Sequence, residues 1–493
     1  MGCNLTMKKA LQHYHTTNNA PFWKNLLCAL VAVLIVALPP VQLAKANILD
    51  TFGKFGVKEE AELGKKFSIL VKSRMPIIED PEIVSYVEGV LDRLQEHIPP
   101  QPFPFEVNVI VDDTLNAFAV PGGYVFVHTG MLLEMEHESE LAGVLAHELA
   151  HITQRHIAKR IEKSQKVQLI SLVGMLAGAV LGATTESGSN VTGGLITGSM
   201  AAGQAALLNY SRDDEREADH MGLIYLTEAG YNPKGLANSF AKIRKRKWQS
   251  GSNMPTYLST HPAVEERQDY LADRVASLPK DLQDRPENDT KFKRVQTLVR
   301  SQFTDPATAL TYFAKQEQTP LILMGQGIAA ARINKVKQAA DFFERAVEGA
   351  PKDYLVLREA GKFHYTKGDT NKAIFLLQKA AVRNPDDLMT LFYYARLLND
   401  KGDSKTAATY YQKILQVLPE DSEVHFFYGK MLGQSGDEFN GHLHLAYSAL
   451  YRNDAKKTAY HMKKAKAVAT NEKQTAALEL LKKQRDERAA YWE

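Results

Sequence analysis

The chain has 493 residues, which is room for several domains and at least one large core. Its composition, 44% hydrophobic and 24% charged, is that of a folded globular protein and excludes disorder along most of the chain. A net charge of +3 argues against the broad basic footprint that nucleic-acid binding requires.

Residues 1–46 have the three parts of a secretion signal. The segment begins with basic residues, becomes apolar at 26–38 and ends in AKA. The apolar run is shorter than the ~20 residues that span a bilayer, so we expect cleavage after Ala46 rather than a permanent anchor. Both cysteines, Cys3 and Cys28, lie in this segment, and the mature chain is expected to hold no disulfide.

Residues 47–277 mix helical and strand patterns, which predicts a mainly helical α+β domain with a small sheet. The predicted elements are helices at 59–74 and 81–97, a strand in FEVNVIVDD, and strands at 117–120 and 124–128 joined by the Pro-Gly-Gly of a hairpin. A further helix is expected from about Ser139, as its N-cap, to about Lys163.

This last helix carries HELAH at 147–151. His147 and His151 are four residues apart, so both imidazoles project from one helix face, one turn apart. Zinc binds neutral imidazole nitrogens, and Glu148, about 100° around the helix, can reach a water without binding the metal. H-E-x-x-H is a metalloprotease signature. The alternative is a buried helix whose histidines only make hydrogen bonds.

Residues 167–203 contain Gly174, Gly178 and Gly182, and 184–203 are rich in glycine, serine and threonine. Glycines at four-residue spacing favour close helix contact. A partly buried helix followed by a loop explains the pattern. The alternatives are a lid over the site, a membrane-touching segment, or a membrane insertion of the apolar part.

The segment SRDDEREADHMG at 211–222 offers a third metal ligand. If it is helical, Glu215 and Asp219 share a face and Glu217 points away. Glu215 could then bind the metal, and Asp219 could orient a ligating histidine. A solvated acidic helix face would give the same pattern.

A charged segment at 278–308 is expected to link this domain to repeats at 309–486. Three series recur every 34 residues, namely Pro351, Pro385 and Pro419, then Ala339, Ala373 and Ala407, and the Gly-Asp pairs that begin at Gly368, Gly402 and Gly436. A period of 34 is typical of tetratricopeptide helix pairs, which predicts an all-α solenoid with a groove for peptides or partner proteins.

Four features together resemble the M48 zinc metallopeptidases, namely HELAH, the pattern S-R-x-x-E-x-x-A-D at 211–219, the strand block ahead of the HELAH helix, and STHPAVEER at 259–267. The resemblance implies one zinc ion per chain, held by His147, His151 and Glu215, and no other cofactor. It also implies that Glu148 is the catalytic base.

The resemblance further implies that a substrate strand pairs with an exposed sheet edge, for which the candidates are Asn116, Ala117, Phe118 and Ala119. It places His261 near the metal, where this side chain could stabilise the oxyanion, occupy the fourth zinc position and keep the enzyme latent, or pack against the turn at Pro262. We expect the latent form, because an unregulated protease among unfolded envelope proteins would be harmful. Arg267 is expected to help hold the His-Pro segment.

Three other histidines near these motifs are expected to be surface or core residues, namely His128, His137 and His220. In a continuous helix, His156 lies on the opposite side from His147 and cannot share its metal.

With a secretion signal ahead and repeats behind, the resemblance implies a periplasmic endopeptidase with chaperone-like activity. It would promote assembly of outer-membrane β-barrel proteins and degrade misassembled ones. The expected partners are unfolded or stalled barrel proteins and, through the repeats, the barrel assembly machinery. Peripheral membrane association is compatible with this role, and nucleic-acid binding is not expected. The alternative is a chaperone or scaffold that acts mainly through the repeats, with latent or secondary peptidase activity.

Overall fold

The computed structural model describes residues 56–163, 210–249, 257, 260–262 and 264–489. The predicted signal at 1–46 and the segment for which several alternatives were open, 167–203, lie outside these residues. All described residues belong to one compact unit, Phe55–Glu493. Among them, we find no helix that is both long and apolar enough to span a membrane.

The first two helices follow the predicted periodicity. Helix α1 spans Val57–Arg74 and α2 spans Pro81–Gln95. The Asp80 carboxylate caps α2, because it accepts the Glu82 backbone N–H at 3.0 Å and proline occupies the first helical position.

A three-stranded sheet follows, with strands β1 (Glu106–Ile110), β2 (Ala117–Val120) and β3 (Tyr124–His128). Strand β3 lies in the centre, parallel to β1 and antiparallel to β2. The predicted hairpin between β2 and β3 is therefore confirmed. Gly122 and Gly123 have φ angles of 85° and 92°, a conformation that favours glycine, and they form its turn. Strand β2 is an edge strand of this sheet.

The single helix predicted for 139–163 is wrong in its bounds, because two helices occupy this stretch. After a short helix α3 (Thr129–Glu134), α4 spans Glu138–Thr153 and α5 spans His156–Lys163. The chain turns between them at Arg155, whose φ of 54° is left-handed and ends the α-helix. The N-cap is His137 rather than Ser139, and the Glu140 carboxylate accepts the His137 backbone N–H at 3.3 Å.

The next three helices are α6 (Arg212–Glu228), α7 (Lys234–Gln249) and α8 (Val264–Ala276). Helices α6 and α7 pack against α4, and α8 packs against α7. This arrangement brings SRDDEREADHMG and the His-Pro segment beside HELAH.

The segment predicted as a linker, 278–308, contains α9 (Lys280–Gln283) and α10 (Thr290–Phe303). Helix α10 buries Phe292, Val295 and Leu298, and it packs against α2. This segment is therefore helical in large part and joined to the core.

The remaining helices are α11 (Pro306–Ala314), α12 (Pro320–Arg332), α13 (Val336–Gly349), α14 (Tyr354–Thr366), α15 (Thr370–Arg383), α16 (Leu388–Asp400), α17 (Ser404–Val417), α18 (Ser422–Gln434), α19 (Glu438–Tyr451), α20 (Ala455–Val468) and α21 (Glu472–Ala489). Helices α14, α16 and α18 begin 34 residues apart, and an aspartate caps each of them. The alanines of the 34-residue series, Ala339, Ala373 and Ala407, are fully buried at helix contacts. The predicted solenoid of helix pairs is thus confirmed.

Candidate metal centre

Helix α4 places the three polar side chains of HELAH in the interior. His147, Glu148 and His151 are at most 2% exposed. The Nε2 atoms of the two histidines are 3.0 Å apart, as their four-residue spacing predicts. Three buried polar side chains on one apolar helix are costly unless a partner compensates them.

Helix α6 supplies a carboxylate to the same point. Glu215 Oε2 is 3.5 Å from His147 Nε2, and Glu215 Oε1 is 3.7 Å from His151 Nε2. Glu215 and Asp219 are at most 1% exposed, while the side chain of Glu217 is 48% exposed. A solvated acidic face accounts for Glu217 but not for the two buried carboxylates.

His261 completes a cluster of four potential metal ligands with His147, His151 and Glu215, all of them buried. His261 Nδ1 is 3.4 Å from His147 Nε2 and 2.9 Å from Glu215 Oε1. Its Nε2 faces the base and lies 3.5 Å from Glu148 Oε1.

The cluster has the dimensions of a zinc site. Ligands that bind a tetrahedral zinc ion at about 2.1 Å lie roughly 3.4 Å from one another, which is close to the observed spacings. Two of the buried atoms that have no hydrogen-bond partner in the described part of the chain face each other at this cluster, namely Glu148 Oε1 and His261 Nε2. Buried polar atoms are rarely left unpaired, and a bound ion with a water would satisfy such atoms. The residues present therefore fit the metal that the sequence predicts.

Asp219 and Arg267 form the layer behind the ligands. Asp219 Oδ1 is 3.1 Å from His147 Nδ1, the position from which a carboxylate orients a ligating imidazole. Arg267, on α8, donates two hydrogen bonds to Asp219 at 2.8 and 2.7 Å and also contacts Glu215. It thus ties α8, which follows His261, to α6.

Burial, hydrogen bonds and neighbouring charges shift the pKa values of these groups. Burial by itself lowers the pKa of His147, but hydrogen bonds that the ring donates to the Asp219 and Glu215 carboxylates outweigh it and raise the pKa to about 9. Burial raises the pKa of Glu215, but His261 and Arg267 hold the pKa of this carboxyl well below its usual range. Burial lowers the pKa of His151 well below its usual value, which favours the neutral form that metals bind.

Glu148 connects α4 to the edge strand. Its Oε2 accepts the Ala119 backbone N–H at 2.9 Å, and burial raises the pKa of its carboxyl group. Of the predicted substrate-edge residues, Ala117, Phe118 and Ala119 lie in the edge strand β2, and Asn116 immediately precedes it. All four are buried, so the expectation that this edge is exposed was wrong, because α4 packs against β2. The Asn116 backbone carbonyl accepts the His128 N–H, so Asn116 closes the hairpin ladder on the β3 side.

Sequence reasoning did not find two aromatic neighbours of the centre. Tyr210 stacks on His151 with ring centroids 3.6 Å apart, and His156 Nδ1 lies 2.8 Å from His151 Nδ1. His156 lies outside the donor cluster, but the assumption that it points away from the site was wrong, because the helix ends at Thr153. The left-handed residue that causes this, Arg155, has no glycine or asparagine to signal it in the sequence.

The three other histidines of the expected surface or core set lie outside the donor cluster. His128 is buried and shares a hydrogen bond with Thr114. His137 Nδ1 is 2.7 Å from Asp289 Oδ2, and His220 contacts Arg274.

A buried H-E-x-x-H helix with a carboxylate from a second helix and an adjoining edge strand defines the class of metallopeptidases. Residues 78–275 match the sequence profile of peptidase family M48, and residues 298–354 and 359–429 match that of the tetratricopeptide repeat. The chain therefore has an M48 peptidase domain followed by tetratricopeptide repeats, and it is a metalloprotease.

The similar proteins include several proteases. The beta-barrel assembly-enhancing protease of Escherichia coli (strain K12) is 26% identical over 372 residues, which cover 72% of this chain and 74% of that protein. The mitochondrial metalloendopeptidase OMA1 of Schizosaccharomyces pombe is 35% identical over 182 residues, 37% of this chain and 50% of that protein. Metalloprotease LoiP of Escherichia coli is 28% identical over 196 residues, 40% of this chain and 72% of that protein. Among solved structures, YrrB, a tetratricopeptide-repeat protein, aligns with 35% of this chain and 91% of its own, at 16% identity and a TM-score of 0.29.

Proposed function

We propose that the chain is a zinc-dependent endopeptidase in which His147, His151 and Glu215 hold one zinc ion. The observation that carries this proposal is the convergence of these buried donors at the spacing of a tetrahedral site. Bound zinc would supply Lewis acidity, which polarises a peptide carbonyl and makes water a better nucleophile near neutral pH. Asp219 keeps His147 in the tautomer that presents Nε2 to the metal.

Glu148 acts as the general base in this proposal. The Ala119 N–H holds its Oε2, and its Oε1 stays available to take a proton from the attacking water. Burial raises the pKa of this carboxyl toward the working pH, which suits proton transfer in both directions. Glu148 can therefore return the proton to the leaving amine.

The substrate is proposed to bind as an extended strand along the edge of β2 that does not pair with β3. Phe118 and Val120 are paired with Phe126 and Tyr124 of β3, and the Ala119 N–H points the other way, toward Glu148. A peptide on that edge would pass directly beside the base. Backbone pairing of this kind tolerates many side chains, which suits a protease for misfolded proteins.

We further propose that the protein works in the periplasm on outer-membrane β-barrel proteins. It would promote their assembly and degrade those that stall. The support is the predicted secretion signal and the similarity to a beta-barrel assembly-enhancing protease across both the peptidase domain and the repeats. The repeats would contact unfolded barrel proteins or their assembly machinery.

A second candidate is a chaperone or scaffold whose peptidase is latent at rest. The position of His261 among the metal donors favours it, because a fourth protein ligand would close the position that water needs. The two candidates are compatible in one molecule.

The decisive experiment combines metal analysis with the variant Glu148→Gln. We expect the purified chain to hold one zinc per molecule and Glu148→Gln to keep it, while hydrolysis of casein falls by about 10²- to 10⁴-fold. Glu96→Gln, on the exposed end of α2, is the matched control. Absence of stoichiometric metal in the wild type, or hydrolysis by Glu148→Gln at the wild-type rate, contradicts the proposal. A chaperone role predicts that Glu148→Gln still prevents aggregation of an unfolded barrel protein.

A further inference from the structure

A chain of hydrogen bonds leads from His151 to the surface. The Nδ1 atoms of His151 and His156 are 2.8 Å apart, and His156 Nε2 is 3.0 Å from Glu217 Oε2. The first two side chains are buried, and Glu217 is half exposed at the end of the chain.

The direction of these bonds follows from the proposed metal site. His151 Nε2 faces His147 and Glu215, so it must be free of its proton to bind a metal, and Nδ1 carries the proton instead. His151 Nδ1–H therefore donates to His156 Nδ1. His156 then carries its proton on Nε2, and this N–H donates to the Glu217 carboxylate. Each donor in this chain of hydrogen bonds therefore meets an acceptor.

An interruption of the helix between Thr153 and His156 brings these residues together. In one continuous helix, position 156 would lie about 140° around the axis from position 151. The left-handed Arg155 ends α4 and starts α5 at His156, so that the ring returns to His151. Helix α6 carries Glu217 two residues after Glu215. Its buried face therefore provides a proposed metal ligand, and its outer face provides the carboxylate that accepts the His156 Nε2–H.

We infer that His156 and Glu217 are positioning residues that fix the tautomer and the orientation of His151 for metal binding. This inference rests on the proposed function, because it assumes that His151 is a ligand. An imidazole whose second nitrogen is held by a hydrogen bond binds metal more tightly, and loss of such a partner lowers metal affinity by about 10- to 100-fold.

The test is a zinc competition titration of the full chain with a chromophoric chelator. We expect His156→Ala to bind zinc about 10- to 100-fold more weakly than the wild type. His156→Asn should recover part of the loss, because the Asn carbonyl oxygen can accept the His151 Nδ1–H. Glu217→Ala should weaken binding less than His156→Ala, because it removes only the outer bond. The matched controls are His220→Ala and Glu228→Ala, which alter the same helix α6 away from the chain of bonds.

The melting temperature of each metal-free variant separates positioning from a general structural role. Positioning predicts a loss of zinc affinity with a melting temperature of the metal-free protein near that of the wild type. Wild-type zinc affinity in His156→Ala, or equal affinities of His156→Asn and His156→Ala, overturns the inference. If His156→Ala does not fold, His156→Asn and Glu217→Ala carry the test, and wild-type affinity in both overturns it. A wild type that binds no zinc contradicts the proposed function instead.

Discussion

His261 lies between the proposed metal ligands and the proposed base. One ring nitrogen is 2.9 Å from Glu215 Oε1, and the other is 3.5 Å from Glu148 Oε1. The Tyr257 ring stacks on this imidazole with centroids 4.3 Å apart, which holds it in place. In the latent form proposed above, this imidazole would occupy the position that a water and a substrate carbonyl need.

We expect His261→Ala to raise the rate of casein hydrolysis by about tenfold, because the variant has no imidazole to close the site. A tenfold change in rate corresponds to about 1.4 kcal/mol in the activation free energy. The rate should be measured at fixed enzyme and zinc concentrations. His220→Ala is the control, since His220 contacts Arg274 outside the donor cluster. A lower rate in His261→Ala with unchanged zinc content contradicts latency and indicates that His261 stabilises the oxyanion.

At the scale of elements, helix α1 supports the hairpin that holds Glu148. Gly64 of α1 faces the turn, where an added Cβ would lie 2.0 Å from the Pro121 carbonyl oxygen and 3.0 Å from the Tyr124 ring. Only a glycine permits this approach. Gly89 of α2 is a matched control, because it is also a helical glycine but has room for a side chain. Among the described residues, no atom lies within 4 Å of a Cβ added there.

We therefore expect opposite effects from two identical substitutions. Gly64→Ala should lower the free energy of unfolding by about 1–3 kcal/mol, because the helix and the turn must separate. Gly89→Ala should raise it by up to ~1 kcal/mol, since alanine is the better helix former. Urea denaturation of the full chain measures both. Equal effects would show that α1 and the hairpin are not in close contact.

The sequence predicts the elements that depend on near neighbours. Periodicity predicts the 34-residue helix pairs, Pro-Gly-Gly predicts the hairpin, and the spacing of His147 and His151 predicts one helix face. It does not predict contacts that tertiary structure creates. The pair between Arg267 and Asp219 joins residues 48 positions apart on two helices. The contact of His156 with a predicted ligand depends on one left-handed residue in an otherwise helical pattern.

At the scale of the whole described molecule, the peptidase domain and the first repeats share one hydrophobic core, with members from Ile78 to Ala380. Polar contacts also hold the repeats to α10 and to α2 of the peptidase domain. Arg294 of α10 pairs with Asp353, the cap of α14, at 2.6 Å, and the Tyr354 hydroxyl donates to Glu82 of α2 at 2.8 Å. A repeat array held in this way is packed onto the peptidase domain rather than tethered to it, so a client bound by the repeats, as proposed above, would be kept at a defined place relative to that domain.

Arg358 is the centre of the boundary between the repeats and the peptidase domain. It is fully buried, and its guanidinium lies 2.9 Å from Glu359, 3.0 Å from Asp387 and 3.5 Å from Glu82 of the peptidase domain. Removing one partner of a buried ion pair leaves the other charges without compensation.

We expect Arg358→Met to lower the free energy of unfolding by about 3–5 kcal/mol, although methionine fills much of the same volume. Arg345→Met removes an exposed arginine that pairs with Asp341, and it should change stability by less than about 1 kcal/mol. Urea denaturation followed by circular dichroism provides both values. Similar small changes in the two variants would mean that the charges of α14 and α2 do not stabilise the boundary. A large loss for Arg358→Met alone, together with reduced hydrolysis of casein at low urea, would show that the repeats support the active peptidase domain through this buried arginine.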